Sequence, residues 1–296
     1  MKKILITGTL GQIGSELIKK LRQIYGNENV VGSDCRMPAS EVSYNWQPFE
    51  KVDVTNNNNI ENIINKYDID TIYHLAAVLS AKGEQNPQLA WNVNINGLYN
   101  ILELARKYKI KQIFSPSSIA VFGPNTPTQN TPQSTILEPE TMYGITKLSG
   151  EMLCDYYVKH FDLDIRGVRY PGLISNETPP GGGTTDYAVE IFYEAIKYKK
   201  YTCFLEPETV LPMMYMPDAI KGTIDLMNAD RSKLKHYTNF NLGAISFSPK
   251  QLVAEIKKQI PEFKCTYKPD YRQAIADSWP QTIDDSAARE EWNWQH

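Results

Sequence analysis

Tyr143 and Lys147 stand four residues apart in a segment whose composition is compatible with a helix. Residues four apart share a helix face, so the ammonium would lie one turn from the phenol. A nearby positive charge favours the phenolate and lowers its pKa from about 10. Ser118, earlier in the chain, can hydrogen-bond the same substrate oxygen. The pattern predicts Tyr143 as acid/base with Ser118 and Lys147 as its catalytic partners, although alone it also fits an exposed Tyr/Lys pair.

A glycine turn near the N-terminus supports the catalytic interpretation of that pair. The apolar segment 3–7 predicts a strand, and the apolar spacing that follows predicts a helix ending at Gly26. Strand, glycine turn and helix are the context of a dinucleotide-binding fingerprint, because glycines let a pyrophosphate approach the helix N-terminus. A glycine turn without a ligand is the alternative. The residues predicted to contact the cofactor here are Gly8, Gly11, Gln12, Ile13 and Gly14.

Asp34 ends the second predicted strand, twenty residues after Gly14. An acidic residue at this point accepts hydrogen bonds from the adenosine ribose of NAD and repels the 2′-phosphate of NADP. We therefore predict NAD as the cofactor, although Arg36 offers a partner for that phosphate. Asp53 ends a third short segment and either faces the adenine ring or is a loop carboxylate in water.

The fourth predicted strand, 71–75, runs into small residues that permit close cofactor approach. His74 on this strand has apolar neighbours, and we interpret it as structural. Ser80 follows the C-terminal end of the strand, where open α/β sheets bind ligands. The other residues predicted to bind the cofactor are Val54, Leu75, Ala76, Ala77, Asn94, Tyr143, Lys147 and Tyr170.

Strands and helices alternate through the first half of the chain, which predicts an α/β fold with a doubly wound parallel sheet of the Rossmann type. Pro171 and Gly172 end that alternation. We predict an NAD-binding domain over 1–170 and a smaller C-terminal substrate lobe over 171–296, some of whose segments return to the first domain. Helices are predicted at 86–109, 143–161, 187–200, 217–228 and 249–260, and a sixth strand at 164–170.

Composition narrows the classes of function. With 31 Lys+Arg against 34 Asp+Glu the net charge is −3, so nucleic acid is not an expected partner. No apolar run approaches the ~20 residues of a membrane span. The cysteines are far apart without a Cys/His cluster, which predicts a reduced cytoplasmic protein without a metal site. They are Cys35, Cys154, Cys203 and Cys265.

The combined motifs resemble the extended short-chain dehydrogenase/reductase family, the group that contains UDP-galactose 4-epimerase. They are Thr7-Gly8-x-x-Gly11-x-x-Gly14, Asp34, Ser118 and Tyr143-x-x-x-Lys147. Later strings are more specific and are similar to the epimerase-like L-threonine 3-dehydrogenases of that family. These strings occupy 169–175, 181–188, 211–219, 277–280 and 283–286. The resemblance covers nearly the whole chain.

The resemblance implies that the side-chain hydroxyl of L-threonine is oxidised by NAD+ to 2-amino-3-oxobutanoate. The substrate ammonium then needs a carboxylate, for which Asp186 is the candidate, and Thr184 and Ser80 would hold other polar ends. Thr184 and Asp186 also fit a turn or helix cap, and both roles can hold together. By family analogy, the helical segments 86–109 and 143–161 would pair two subunits into a homodimer.

Two other functions share part of this pattern. A sugar-nucleotide epimerase or dehydratase would have the same fold but needs basic residues for a diphosphate, whereas 181–186 offers an acid. A non-catalytic dinucleotide sensor would keep the glycine turn but has no need for Ser118, Tyr143 and Lys147 together.

Overall fold

A parallel six-stranded sheet forms the centre of the molecule. The computed structural model describes residues 2–39 and 46–296, and within them the strands lie in the order β3-β2-β1-β4-β5-β7. This is the strand order of a Rossmann fold, so the predicted fold class is confirmed. The strands are β1 Ile4–Thr7, β2 Val30–Asp34, β3 Phe49–Lys51, β4 Thr71–His74, β5 Gln112–Phe114 and β7 Ile165–Arg166, with the short β6, Ser117–Ser118, outside this sheet.

Helices cover both faces of the sheet. Helix α1, Gln12–Tyr25, buries Leu17, Ile18 and Leu21 and ends at Gly26, whose φ of 88° belongs to the glycine-favoured region. The other helices of this half are α2 Asn57–Tyr67, α3 Ser80–Gln85, α4 Pro87–Trp91, α5 Gly97–Tyr108 and α6 Met142–Phe161. The carboxyl ends of the strands and the first turns of α1 and α6 therefore border one cleft.

The predicted helix at 86–109 is interrupted. A π-helical segment, Asn92–Asn96, joins α4 to α5, so the chain gains a residue per turn there. The insertion turns Asn94 into the interior, where its exposed fraction is 8%. Hydrophobic spacing alone does not reveal such a bulge.

The sixth strand predicted at 164–170 is two strands. Ile165–Arg166 pairs with β5, whereas β8, Val168–Tyr170, pairs with β6 and with β12, Phe240–Asn241. Gly167 lies between the two strands. A side chain does not fit there, because a Cβ would lie 2.7 Å from the Thr238 carbonyl oxygen. The prediction of one continuous strand was wrong.

The second half of the chain builds smaller sheets beside the first. Strands β9 Gly172–Ile174, β11 Leu211–Tyr215 and β13 Ile245–Phe247 form one, and β10 Lys200–Cys203 pairs with β14 Lys264–Tyr267. The helices here are α7 Tyr187–Tyr198, α8 Met216–Asn228, α9 Pro249–Gln259, α10 Arg272–Asp277 and α11 Ser286–Trp292.

Two apolar clusters connect the halves. Helix α8 packs on α1, so residues beyond 171 complete the covering of the large sheet. A second cluster joins Tyr143 and Leu148 of α6 to Tyr187 and Ile191 of α7. This cluster holds α6 against α7. No helix in the described part of the chain is long and apolar enough to cross a membrane.

Candidate active site

The glycine turn after β1 leaves its backbone open in the way that the fingerprint requires. Gly8 has a φ of 72°, and a Cβ there would lie 2.7 Å from the Ala76 backbone nitrogen. A Cβ at Gly14 would overlap the Gly8 carbonyl oxygen and lie 2.7 Å from the Cα of Thr9. Gly11 is more tolerant, with one contact at 3.2 Å. Side chains are therefore excluded at Gly8 and Gly14 of this turn.

Helix α1 begins directly at that turn. Gln12 and Ile13 form its first residues, and Gly11 caps it without a side chain, so the first backbone N–H groups face the cleft. The side-chain Nε2 of Gln12 is buried and has no hydrogen-bond partner within residues 2–39 and 46–296. Free donors at the positive end of a helix dipole fit the pyrophosphate of a dinucleotide.

Asp34 is held at the tip of β2 with 6% of its surface exposed. Its Oδ2 accepts a hydrogen bond from the Leu10 backbone N–H at 3.1 Å, which ties the strand tip to the glycine turn. Its Oδ1 accepts from the backbone and the Nε of Arg36, both at 3.1 Å. Arg36 is thus paired with the acid that was predicted to select NAD.

The loop after β4 lies against the same turn. The Leu75 backbone N–H donates to the Thr7 carbonyl, and Ala76 lies directly against Gly8. A cavity of about 20 Å³ continues beneath this loop to α6, and it is lined by His74, Ala76, Ala77, Asn94, Leu98, Ser115, Pro116, Ser117, Thr146, Lys147, Gly150, Glu151, Cys154 and Thr238. The Ser117 hydroxyl is buried there and no described residue partners it. The small residues predicted to admit the cofactor therefore line the cleft beside Lys147.

Asn94 is a structural clamp. Its side chain accepts from the Val78 N–H at 2.8 Å and donates to the Val78 carbonyl at 3.1 Å and to the Thr146 hydroxyl at 3.0 Å. It thereby joins the loop after β4 to the catalytic helix. Asn94 also lines the cavity beside Lys147, so its predicted contact with the cofactor stays a prediction.

Three other residues predicted to bind the cofactor are engaged elsewhere. Asp53 is exposed and accepts from the Thr55 N–H and hydroxyl, which is the loop carboxylate of the alternative. Val54 is buried. The Tyr170 hydroxyl pairs with Thr223 in the core, so only its backbone is left for a ligand.

Tyr143, Lys147 and Ser118 come together as predicted. Thr141 caps α6 by accepting the Gly144 N–H at 3.0 Å, which places Tyr143 in the first turn. The Tyr143 hydroxyl forms a hydrogen bond with Ser118. The Lys147 ammonium lies 5.6 Å from the centre of the Tyr143 ring and donates to the Pro116 carbonyl at 2.8 Å.

The expected lowering of the Tyr143 pKa is wrong for the chain without its cofactor. Burial raises the pKa of Tyr143 to about 12, and the bond to Ser118 only partly opposes this. Burial also lowers the pKa of Lys147 to about 8. The ammonium bonds to a carbonyl and lies beside the ring, so the cost of desolvating the phenolate outweighs its attraction.

His74 is buried and its Nδ1 is 2.9 Å from the Thr7 hydroxyl. Burial lowers the pKa of His74 to about 3, and the charge on Lys147 adds to the effect. A neutral, bonded histidine fits the structural role assigned from the sequence.

Ser80, Thr184 and Asp186 form a buried polar group on the other side of the cleft. The Ser80 hydroxyl is 3.2 Å from the Thr184 hydroxyl and accepts the Thr184 N–H at 3.2 Å. The Oδ2 of Asp186 accepts the N–H groups of Gly182 at 2.8 Å and Gly183 at 2.6 Å. Side chains a hundred residues apart thus meet at the start of α3.

Asp186 does not cap α7 with its side chain. It stands at the N-cap position, but its carboxylate bonds to the preceding glycines and accepts no helix N–H. Burial raises the pKa of Asp186, and the amides of Gly183 and Gly182 and the charge of Arg272 oppose that rise. The helix-cap alternative is therefore wrong, whereas the turn alternative describes these bonds. Among the described residues, no three acidic, His or Cys side chains are grouped to hold a metal ion.

Comparison with known proteins identifies the family. Residues 4–243 match the model of the NAD dependent epimerase/dehydratase family. The chain belongs to this family. An uncharacterized epimerase/dehydratase of Staphylococcus haemolyticus is 52% identical over 295 residues, which are 99% of this chain and 92% of that protein. A nicotinamide dinucleotide is therefore the cofactor class that the open glycine turn accommodates.

Two solved structures are similar over the same length. L-threonine dehydrogenase from Clostridium difficile has 54% identity and a TM-score of 0.94, covering 100% of this chain and 92% of that one. A monomeric L-threonine 3-dehydrogenase from a metagenome database has 51% identity and a TM-score of 0.95, covering 99% and 93%.

Two residues that hold the start of α6 in this family member escaped the sequence analysis. Thr141 is a typical N-cap residue directly before a helix, and that signal could have identified it. Glu84 accepts the Met142 N–H at 2.6 Å from the neighbouring helix α3, and no sequence pattern predicts such a long-range cap.

Proposed function

We propose that this protein is an NAD-dependent L-threonine 3-dehydrogenase that forms 2-amino-3-oxobutanoate. The observation that carries the proposal is the pairing, across α3, of a buried Ser80–Thr184–Asp186 group with the Ser118, Tyr143 and Lys147 side chains. The first group suits the charged ends of an amino acid, and the second suits oxidation of an alcohol. The similar L-threonine dehydrogenase structures support the same substrate.

The catalytic side chains divide the work on the substrate hydroxyl. Ser118 holds this hydroxyl, and Tyr143 removes its proton as the carbon beside it is oxidised. We assign Lys147 to the ribose hydroxyls next to the nicotinamide. When bound, NAD+ accepts the hydride from that carbon and contributes a positive ring to the site.

The raised pKa of Tyr143 makes this base dependent on the bound complex. At about 12 in the cofactor-free chain, the phenol stays protonated at neutral pH. A cation brought against it lowers that pKa, because the phenolate then gains an attractive partner in a dry site. A positive charge beside the phenol is therefore what would make Tyr143 an effective base near neutral pH.

The substrate group offers complementary polar contacts. Asp186 is buried, and its Oδ2 accepts the Gly182 and Gly183 amides; we assign this carboxylate to the substrate ammonium. An ammonium beside this carboxylate would oppose the rise of its pKa. Thr184 and Ser80 supply hydroxyls for the remaining polar end.

The experiment compares L-threonine with UDP-glucose as substrates for the purified chain with NAD+. NADH should form with L-threonine alone. Conversion of UDP-glucose without NADH accumulation would favour an epimerase. NAD+ binding without either reaction would favour a dinucleotide sensor.

We also propose that two copies associate through α4, α5 and α6. These helices carry large apolar side chains with 43 to 66% exposure, namely Trp91, Tyr99, Met152 and Tyr156. A shared apolar face on adjacent helices favours self-association. Light scattering should give a dimer mass that Met152→Glu reduces to a monomer, whereas a monomeric wild-type chain would match the monomeric relative and end this proposal.

The free state of all four cysteines supports a reducing, cytoplasmic setting.

A further inference from the structure

Helix α3 connects the two halves of the proposed active site. At its first residue, the Ser80 hydroxyl is bonded to Thr184. Near its end, Gly83 lies against the catalytic helix, since a Cβ there would be 3.8 Å from both the backbone nitrogen and the Cβ of Tyr143. Any shift of α3 against α6 therefore changes the position of the substrate group relative to the phenol.

Glu84 fastens α3 to the beginning of α6. The backbone N–H of Met142 donates to Glu84 Oε1 at 2.6 Å. Met142 is the first residue of α6, so its N–H has no acceptor within the helix. Thr141 satisfies the Gly144 N–H from within the same chain segment. Glu84 thus adds an acceptor from a different element, one that α6 cannot supply.

We propose that Glu84 is a positioning residue for Tyr143. Its bond to the Met142 N–H fixes the first turn of α6 against α3 and so sets the distance between the Tyr143 phenol and the substrate hydroxyl. This inference rests on the proposed dehydrogenase function and adds to it a residue that acts through the position of Tyr143. Glu84 itself touches neither substrate nor cofactor.

The placement of Tyr143 gives this contact its effect on rate. Tyr143 is the second residue of α6, and terminal turns of helices fray because their amides lack partners. A side-chain acceptor at the N-terminus opposes fraying, because it supplies the partner that the Met142 amide lacks within the helix. Turnover is sensitive to small displacements of the reacting groups, whereas binding of the distant pyrophosphate is not.

The test compares Glu84→Gln, which keeps a carbonyl acceptor, with Glu84→Ala, which has none. We expect Glu84→Ala to lower kcat about three- to tenfold, with the Kd of NAD+ unchanged, and Glu84→Gln to stay within about twofold of the wild type. Hydrogen exchange of the amides in residues 142–145 should be faster in the Ala variant and close to wild type in the Gln variant.

Gln251→Ala is the matched control. Gln251 accepts the Ser248 N–H at 2.8 Å at the start of α9, a helix that carries none of the proposed site residues. Its loss should lower the melting temperature without changing kcat, which separates a general effect on stability from positioning of Tyr143.

Two results would overturn the role of Glu84. One is a Glu84→Ala enzyme with wild-type kcat and wild-type exchange at 142–145. The other is a Gln variant as slow as the Ala variant, because the hydrogen bond would then not be the cause. If the wild-type chain does not oxidise L-threonine, the proposed function fails, and the exchange rates still decide whether Glu84 fixes this turn.

Discussion

The cofactor side and the substrate side of the cleft are built on different principles. On the cofactor side, consecutive residues make the site, and glycines leave the backbone itself exposed to the ligand. On the substrate side, Ser80 and Thr184 come from segments a hundred residues apart and satisfy each other in the absence of ligand. The glycine turn presents its backbone to the cofactor, whereas Ser80 and Thr184 must exchange their bond to each other for bonds to a ligand. Cofactor binding should therefore depend on the space that the glycines leave. Substrate binding should depend on the hydrogen bonds and ion pairs that the ligand forms.

A substitution of Tyr143, which lies between the two sides, should have the largest effect on turnover. Tyr143→Phe removes the base, and general base catalysis contributes about 10²- to 10⁴-fold in rate. We expect kcat to fall by that order while NAD+ still binds, as measured by steady-state NADH formation and by calorimetry. A Phe variant with near wild-type turnover would remove Tyr143 from the mechanism.

The pH dependence tests the same residue. The phenolate population grows as pH rises through the Tyr143 pKa, so turnover should rise with pH through one ionisation that lies below about 12 in the ternary complex. Lys147→Met should move that rise to higher pH, because the neighbouring positive charge is gone. A rate independent of pH from neutral to alkaline conditions would contradict the assignment.

On the cofactor side, Gly14→Ala should be much more damaging than Gly11→Ala. A Cβ at Gly14 would overlap the Gly8 carbonyl, whereas at Gly11 it meets one atom at 3.2 Å. We expect the Gly14 variant to lose at least about tenfold in NAD+ affinity, which corresponds to ~1.4 kcal/mol. Equal affinities in the two variants would contradict the account of a backbone-lined site.

On the substrate side, Asp186→Asn should raise the threonine KM about ten- to a hundredfold, since a hydrogen bond to a charged group contributes ~1.5–3 kcal/mol. NAD+ affinity should not change. Thr184→Ala should have the same effect more weakly, because a neutral hydroxyl contributes less. If Asp186→Asn lowers only the melting temperature, the residue serves the glycine turn and the ammonium site lies elsewhere.

The smallest expected effect is the exchange of cofactor preference at Asp34. Asp34→Ala removes the acceptor for the ribose hydroxyls. It also frees Arg36, which pairs with Asp34 in the wild-type chain. NAD+ affinity should fall by several-fold and NADP+ should be tolerated better, as measured by the two Kd values. A wild-type preference for NADP+ would reverse the role given to Asp34.

The sequence revealed the cofactor side more completely than the substrate side. Glycine spacing, the acidic strand tip and Tyr143-x-x-x-Lys147 are local patterns with direct geometric causes, and the sheet follows from alternation of strands and helices. The π-helical segment around Asn94 and the bonds of this side chain to Val78 were not predicted. The break at Gly167 and the cap from Glu84 depend on contacts between distant segments. Such contacts leave no periodic signal.

The central claim is that Ser80, Thr184 and Asp186 select an amino acid, whose hydroxyl is then oxidised by NAD+ with Tyr143 as the base. Its most direct test is the rate of NADH formation with L-threonine beside the same assay with UDP-glucose and with 2-butanol, which has a secondary alcohol but no charges. The account predicts rapid NADH formation with L-threonine, little with 2-butanol and none with UDP-glucose. Equal rates with L-threonine and 2-butanol, or activity with UDP-glucose alone, would contradict it.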